Sequence, residues 1–403
     1  MSTHTHPEHA LLCLASLLAI ASAWLGCSAG AELEPLALPP PHLSIAPPWS
    51  APLATPSRLS ATPSAPPATP SAAAETPKAA APADSQLPTT VSFLAVGDVL
   101  LSRQVAGRIQ AAADPLLPFR AMAAVFDSVD FCFANLESPF SREDSFSLSS
   151  ANIFNTPKSN LRGLVDYRFR VVNLANNHML DQNEAGLRIT LELLTQAGIR
   201  TVGAGMDEDE AWRTAVLEVR GMRLGFVGAS YASVNDGGVL RRRNIARIED
   251  EQRLRAAIQG LRAQADLVVA TMHAGAEYNS HVQPAEVRFA HAAIDFGADV
   301  VFGSHPHVLQ RVERYQGKYI FYSLGNFIFD HKPLPTRQGL AVRVRATLEP
   351  STGAERRGAI AELELLPVLI ENLSTPRLAT AEEARSILSS IGVTEPLLHP
   401  SAE

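Results

Sequence analysis

Cysteine is nearly absent from this 403-residue chain: Cys13, Cys27 and Cys132 are the only three, which excludes a disulfide framework whatever the redox compartment. Surplus positive charge is absent too. Lys and Arg total 34 against 41 Asp and Glu, giving a net charge of -7. The basic cluster Arg241-Arg242-Arg243 carries no interleaved aromatics, so a nucleic-acid partner is not expected. What remains for that cluster is a solvated loop or contact with an anionic polymer or lipid headgroup. The first ten residues hold His4, His6 and His9 but neither Lys nor Arg.

Charge is also missing from Leu11 to Leu25, an apolar stretch that runs into Gly26-Cys27-Ser28. This is the layout of an export signal, expected over residues 1–27, whose cleavage exposes a cysteine for lipid attachment. Ala10 to Gly26 is also nearly long enough to stay in the bilayer as an anchor helix. Either reading places the protein outside the cytoplasm, held to the envelope membrane through an N-terminal lipid or anchor. Between Pro35 and Pro88 lie 15 of the 29 prolines, interleaved with Ala, Ser and Thr. Such a composition cannot build a core, so residues 28–90 read as an extended spacer. Cys132, alone on an apolar run, reads as a small core residue.

From Val91 onward, apolar runs of five to seven residues alternate with segments of helical period. Helices are expected over Leu187–Gln196, closed by Gly198; over Glu249–Ala263, with Leu254, Ile258 and Leu261 on one face; and over Pro284–Phe296, closed by Gly297. Ala215–Val219 and Leu224–Val227, joined at Arg220-Gly221, read as a hairpin. Alternating strands and helices imply an α/β domain over residues 91–372, with a helical tail over residues 373–403.

The chemistry sits where the apolar runs stop. Phe93–Val96 leads to Asp98, Phe131–Leu136 to Glu137, and Arg170–Ala175 to Asn176-Asn177-His178. Leu267–Met272 leads to His273, and Ala298–Phe302 to Gly303-Ser304-His305-Pro306-His307. Two imidazoles two residues apart at a strand end read either as half of a metal site or as a histidine pair with no ion. Carboxylates at neighbouring strand ends favour the metal, because ligands bind in the crevice beyond the carboxyl ends of strands.

Taken together, Val96-Gly97-Asp98-Val99-Leu100-Leu101-Ser102-Arg103, Ala134-Asn135-Leu136-Glu137, Asn173 to Asp181, Gly303 to Gln310 and Tyr322 to Asp330 resemble the CapA-type proteins of poly-γ-glutamate and capsule synthesis. Those proteins are relatives of the calcineurin-like metallophosphoesterases. The resemblance implies a four-layer αββα sandwich and one or two divalent metal ions, manganese, iron or zinc. It implies Asp98, Glu137 and His307 as ligands of one metal, with Glu137 shared, and Asn177, His273 and His305 as ligands of the other. His178, oriented by Asp181, is the candidate general acid. Arg103, Glu277, Tyr278 and Asn326 are weaker candidates for substrate contact, with surface or packing roles as the alternative and, for Asn326, support of the pocket or a turn cap. His281, His291 and His331 fall outside these blocks and read as ordinary surface or helix residues.

Two departures from the wider group stand out. Leu100 occupies a position where it has a histidine, and Ala274-Gly275 replaces the Trp-Gly of many CapA-type proteins. The expected function is a metal-dependent hydrolase of amide or phosphoester bonds, acting on an anionic polymer or a small anionic substrate. The alternative is a non-catalytic accessory that holds polymer or joins a membrane synthase complex.

Overall fold

A computed structural model describes residues 88–143, 152–231, 243–349 and 356–399. The expected signal and nearly all of the expected spacer lie outside these residues, as do Arg241 and Arg242. None of the described helices is long and apolar enough to cross a membrane.

Two sheets are built in sequence. The first begins with the parallel strands β1 (Thr89–Val99), β2 (Phe131–Leu136), β3 (Phe169–Asn173) and β4 (Arg200–Val202). Between them run α1 (Arg103–Ala112), α2 (Ala123–Asp127), α3 (Leu161–Asp166) and α4 (Asn183–Gln196). After α5 (Glu208–Ala211) the chain enters the second sheet with β5 (Ala215–Val219) and β6 (Met222–Ser230), then α6 (Glu251–Arg262), β7 (Leu267–His273), α7 (Pro284–Phe296), β8 (Val300–Ser304), β9 (Val312–Tyr315) and β10 (Lys318–Phe321). Its order is β5-β6-β7-β8-β10-β9. The chain then returns to the first sheet with β11 (Asn326–Ile328) and, past α8 (Leu334–Arg337), β12 (Gln338–Leu348), β13 (Gly358–Glu371) and β14 (Thr375–Leu378). Last come α9 (Ala381–Ser390) and the short β15 (Leu397–Leu398), which pairs with β13.

The period-two geometry of strands decides what packs where. In β1 and β2, Leu94, Val96, Cys132 and Ala134 point to one face and meet Ile109, Phe126, Leu164 and Leu187 of the covering helices. Phe93, Ala95, Phe131 and Phe133 point to the other face and meet Phe226, Val269, Val300 and Phe302 of the second sheet. Phe133 stacks on Phe226 with ring centroids 5.5 Å apart, and Phe93 meets the same ring edge-on at 6.3 Å. On the far side of the second sheet, Val268, Ala270 and Val301 pack against Leu254, Ile258 and Leu261 of α6 and Phe289 and Ala293 of α7. Helices, sheet, sheet and helices form a four-layer αββα sandwich. Each fully buried Phe in its middle contributes about 2–3 kcal/mol of hydrophobic stabilisation.

Local signals place most of these elements. Arg220 and Gly221 have φ of 49° and 79°, the two left-handed residues that a two-residue hairpin loop requires. Helix α7 begins with Pro284 and a capping box between Gln283 and Glu286, and stops at Gly297, whose φ is 118°. Helix α4 starts four residues before the expected Leu187, because its first turn is polar and lacks the apolar period that marks the rest. Segment 373–399 holds α9 and also β14 and β15, which extend the first sheet, while Ile387 and Leu388 join the core between the sheets.

Candidate functional site

Strand ends from both sheets meet at one edge of the sandwich. The first sheet brings Asp98 in β1, Glu137 just after β2, and Asn177 and His178 after β3. The second brings His273 at the end of β7, and His305 and His307 just after β8. All seven are at most 7 % exposed. Close backbone contact at this edge explains two glycines in the strand-end motifs. A Cβ at Gly97 would lie 1.9 Å from the Gly325 carbonyl oxygen, and one at Gly303 would lie 2.0 Å from that of Tyr322. The turn after β8 is strained: His305 and His307 have φ of 103° and 56°, the left-handed region that costs a residue bearing a Cβ about 1–2 kcal/mol. The His305 backbone N–H donates to Asp98 Oδ2 at 3.2 Å, which ties the turn to β1.

Ligand atoms of Asp98, Glu137 and His307 lie within 4.8 Å of one another. Asp98 Oδ2 is 3.5 Å from His307 Nδ1, and Glu137 Oε1 is 3.7 Å from His307 Nε2. Glu137 Oε1 is also 3.7 Å from His273 Nε2, which in turn lies 2.7 Å from Asn177 Oδ1 and 3.0 Å from His305 Nδ1. The two expected ligand sets therefore adjoin, with Glu137 between them.

Burial alone would raise the Asp98 carboxyl, but hydrogen bonds and charge from His273 and His307 outweigh it and hold this acid well below the usual carboxylate range. Burial drives Glu137 the other way, well above its ordinary value, and the neighbouring Asp98 charge adds to the effect. Burial likewise pushes His273 down and His305 well down, favouring neutral imidazoles. Both Glu137 carboxylate oxygens and Asn177 Nδ2 are buried with no hydrogen-bond partner among the described residues. Leaving a buried polar atom unpaired costs about 1–3 kcal/mol. A cation between these groups would satisfy the carboxylate and separate the crowded lone pairs. The mixed oxygen and nitrogen donors suit a first-row divalent ion.

His178 stands beside the cluster, its Nε2 4.0 Å from Glu137 Oε1 and its Nδ1 2.8 Å from Asp181 Oδ2. Phe154 stacks on its ring at 3.7 Å, and the Phe154 N–H donates to the same Asp181 oxygen at 2.6 Å. Arg103 forms an ion pair with Asp330, and its guanidinium lies 4.7 Å from the Phe154 ring centroid and 5.4 Å from that of Phe329. Tyr278 is 58 % exposed at the mouth, its ring 6.1 Å from that of His307. Glu277 precedes it and adds negative potential at Glu137. Asn326 is fully buried behind His307, with Oδ1 2.9 Å from His307 Nδ1, so it stands behind a candidate ligand and has no exposed surface for a substrate.

Three neighbours were not singled out from the sequence. Asn135 Nδ2 donates to Asp98 Oδ1 at 2.7 Å, and Ser304 Oγ lies 3.1 Å from His273 Nδ1. His331 sets its ring 4.9 Å from that of His307. The first two lie inside the strand-end blocks and carried a positional signal; His331 carried none. Leu100, where the wider group has a histidine, is fully buried against Phe154, Phe329 and Ile370. It closes that side of the cluster with apolar packing.

Fold and site together define an α/β sandwich protein with a buried carboxylate, amide and imidazole cluster shared between its two sheets. The profile of the bacterial capsule synthesis protein family PGA_cap matches residues 92–331, and the chain belongs to that family. The PGA biosynthesis protein CapA of Bacillus subtilis is 32 % identical over 253 residues, covering 62 % of this chain and 66 % of that one. The capsule biosynthesis protein CapA of Bacillus anthracis is 30 % identical over 258 residues, covering 62 % of each chain. The chain thus spans just under two thirds of these relatives. A probable polyglutamine synthesis accessory protein of Mycobacterium tuberculosis is 29 % identical over 309 residues, 73 % of this chain and 81 % of that one. Among solved structures, a calcineurin-like phosphoesterase of Bacillus subtilis shares 13 % identity with a TM-score of 0.45, over 76 % of this chain and 97 % of that one.

Proposed function

We propose that the protein is a metal-dependent hydrolase of the cell envelope that cuts an amide or phosphoester bond in an anionic capsule-type polymer such as poly-γ-glutamate. The observation that carries this reading is Glu137. A fully buried carboxylate whose two oxygens have no hydrogen-bond partner among the described residues, faced by His273 and His307 at 3.7 Å, is an arrangement that one or two divalent cations would complete. Asp98, Glu137 and His307 would hold one, and Glu137, Asn177, His273 and His305 the other. Bound there, the metal would supply Lewis acidity and lower the pKa of water.

The remaining chemistry belongs to the chain. Asp181 accepts from His178 Nδ1, which leaves Nε2 facing Glu137 as the atom that would deliver a proton to the leaving group. Arg103, clamped by Asp330 between two phenylalanine rings, puts a fixed positive charge near the mouth for an anionic substrate group. Glu277 and Tyr278 would line the entrance.

Incubation with γ-glutamyl oligomers and with aryl phosphoesters, in the presence of manganese, tests the reading. Wild type is expected to turn over one class, and His178→Ala to keep its metal while losing about 100-fold or more in turnover. Metal-loaded wild type that cleaves neither would leave a second reading, an accessory that holds polymer in the same cleft or joins a membrane synthase complex. The mycobacterial relative's description as an accessory protein favours that alternative.

The N-terminal segment supports export and lipid attachment at Cys27. On this proposal Cys27→Ser moves the protein from the membrane fraction to the soluble fraction, and an unchanged distribution would favour an uncleaved anchor helix.

A further inference from the structure

Asn326 stands behind His307 in a way that fixes which nitrogen of that ring carries the proton. Its amide orientation follows from its partners: Nδ2 donates to the Thr336 carbonyl at 2.8 Å and approaches the His307 carbonyl at 3.4 Å, so Oδ1 is the atom that faces the ring. Oδ1 lies 2.9 Å from His307 Nδ1, and the next nearest group on that side is Asp98 Oδ2 at 3.5 Å. Both are acceptors. Nδ1 therefore carries the hydrogen, and the lone pair is left on Nε2, which points at Glu137 Oε1 across 3.7 Å. The backbone supports the same arrangement. Asn326 on β11 pairs with Asp98 on β1, so one residue registers the His307 ring against the first-sheet ligand.

We infer that Asn326 is a positioning residue that locks His307 as the Nδ1–H tautomer and presents Nε2 as a preformed ligand atom facing Glu137. The inference rests on the metal-centre reading above and adds a residue and a role to it. A buried acceptor on the far nitrogen of a ligating histidine fixes the ring's orientation and raises its basicity, and loss of such a partner typically weakens metal binding about 10- to 100-fold.

The test uses the full chain labelled with 15N-histidine, comparing wild type with Asn326→Ala and Asn326→Asp, and with His307→Gln to assign the signal. Both Asn326 variants lose the donor to Thr336, but Asn326→Asp keeps an acceptor for Nδ1–H. A purely structural role would make them behave alike. The expected result is an Nδ1–H pattern for His307 in metal-free wild type and in Asn326→Asp, and a mixed or Nε2–H pattern in Asn326→Ala. Manganese affinity, measured by titration calorimetry, should fall about 10- to 100-fold in Asn326→Ala and less in Asn326→Asp. An Nε2–H pattern in wild type overturns the inference even if no variant folds, as do equal tautomer patterns and equal affinities in the two variants. An Nδ1–H wild type that binds no manganese leaves the tautomer assignment standing and overturns the metal-centre reading alone.

Discussion

Glu137 sets the energetics of the site at the scale of single residues. Its carboxyl is fully buried with no hydrogen-bond partner among the described residues, and desolvation together with the Asp98 charge pushes its pKa well above the ordinary carboxylate value. Such a group is destabilising unless a cation pairs with it. Glu137→Gln should therefore raise the stability of the chelator-treated protein by about 1–3 kcal/mol while abolishing the gain that added metal gives wild type. Denaturant unfolding with and without metal checks this. A Glu137→Gln protein that is less stable than wild type under chelation would mean that the carboxylate is satisfied by something other than an ion.

Among the elements, α7 offers a second buried acid with a different role. Glu286 lies in its first turn, with Oε2 accepting the Gln283 N–H at 2.7 Å, and burial pushes its carboxyl up to about 7 against the pull of that bond and of the Gln310 amide. A folded-state pKa above the unfolded value of about 4.5 means the group costs stability as pH rises from about 4.5 to about 7, with the full cost present above that. Glu286→Gln keeps the capping bond through its amide oxygen and removes the charge. It should match wild type near pH 4.5 and exceed it by roughly 1–3 kcal/mol at pH 8, read by denaturant melts at both values. A constant difference across that range would count against burial as the cause.

How far the sequence reveals these elements depends on the kind of signal. Pro284 and Gly297 mark both ends of α7, Arg220-Gly221 marks a tight hairpin, and the polar residues ending apolar runs mark the site, because each is a local chemical requirement. The positions of Asn326 and His331 around His307 were not legible. Asn326 reads equally as a substrate contact, a support of the pocket or a turn cap until β11 is seen to pair with β1, and His331, which reads as an ordinary surface or helix residue, comes to the His307 ring only through the segment after β11. The join between the two sheets is equally non-local: the continuous apolar runs of β1 and β2 say that both faces are buried, but they do not say that one face meets Phe226 and the other α1 to α4.

For the whole molecule, the arrangement of ligand candidates follows from the sandwich itself. Asp98, Glu137 and Asn177 belong to the first sheet, and His273, His305 and His307 to the second, so each of the two ligand sets draws on both sheets and a cation in either would cross-link the two layers at their strand ends. Binding to the folded state alone stabilises by mass action, about 2.7 kcal/mol at a hundredfold excess over Kd. The most direct measurement of this account is the metal content of the full chain purified without chelator, by elemental analysis, beside His305→Ala. One or two equivalents of manganese, iron or zinc in wild type, reduced in the variant, is the predicted result. Metal-free wild type that stays metal-free after reconstitution, or a variant that retains the full complement, would contradict it.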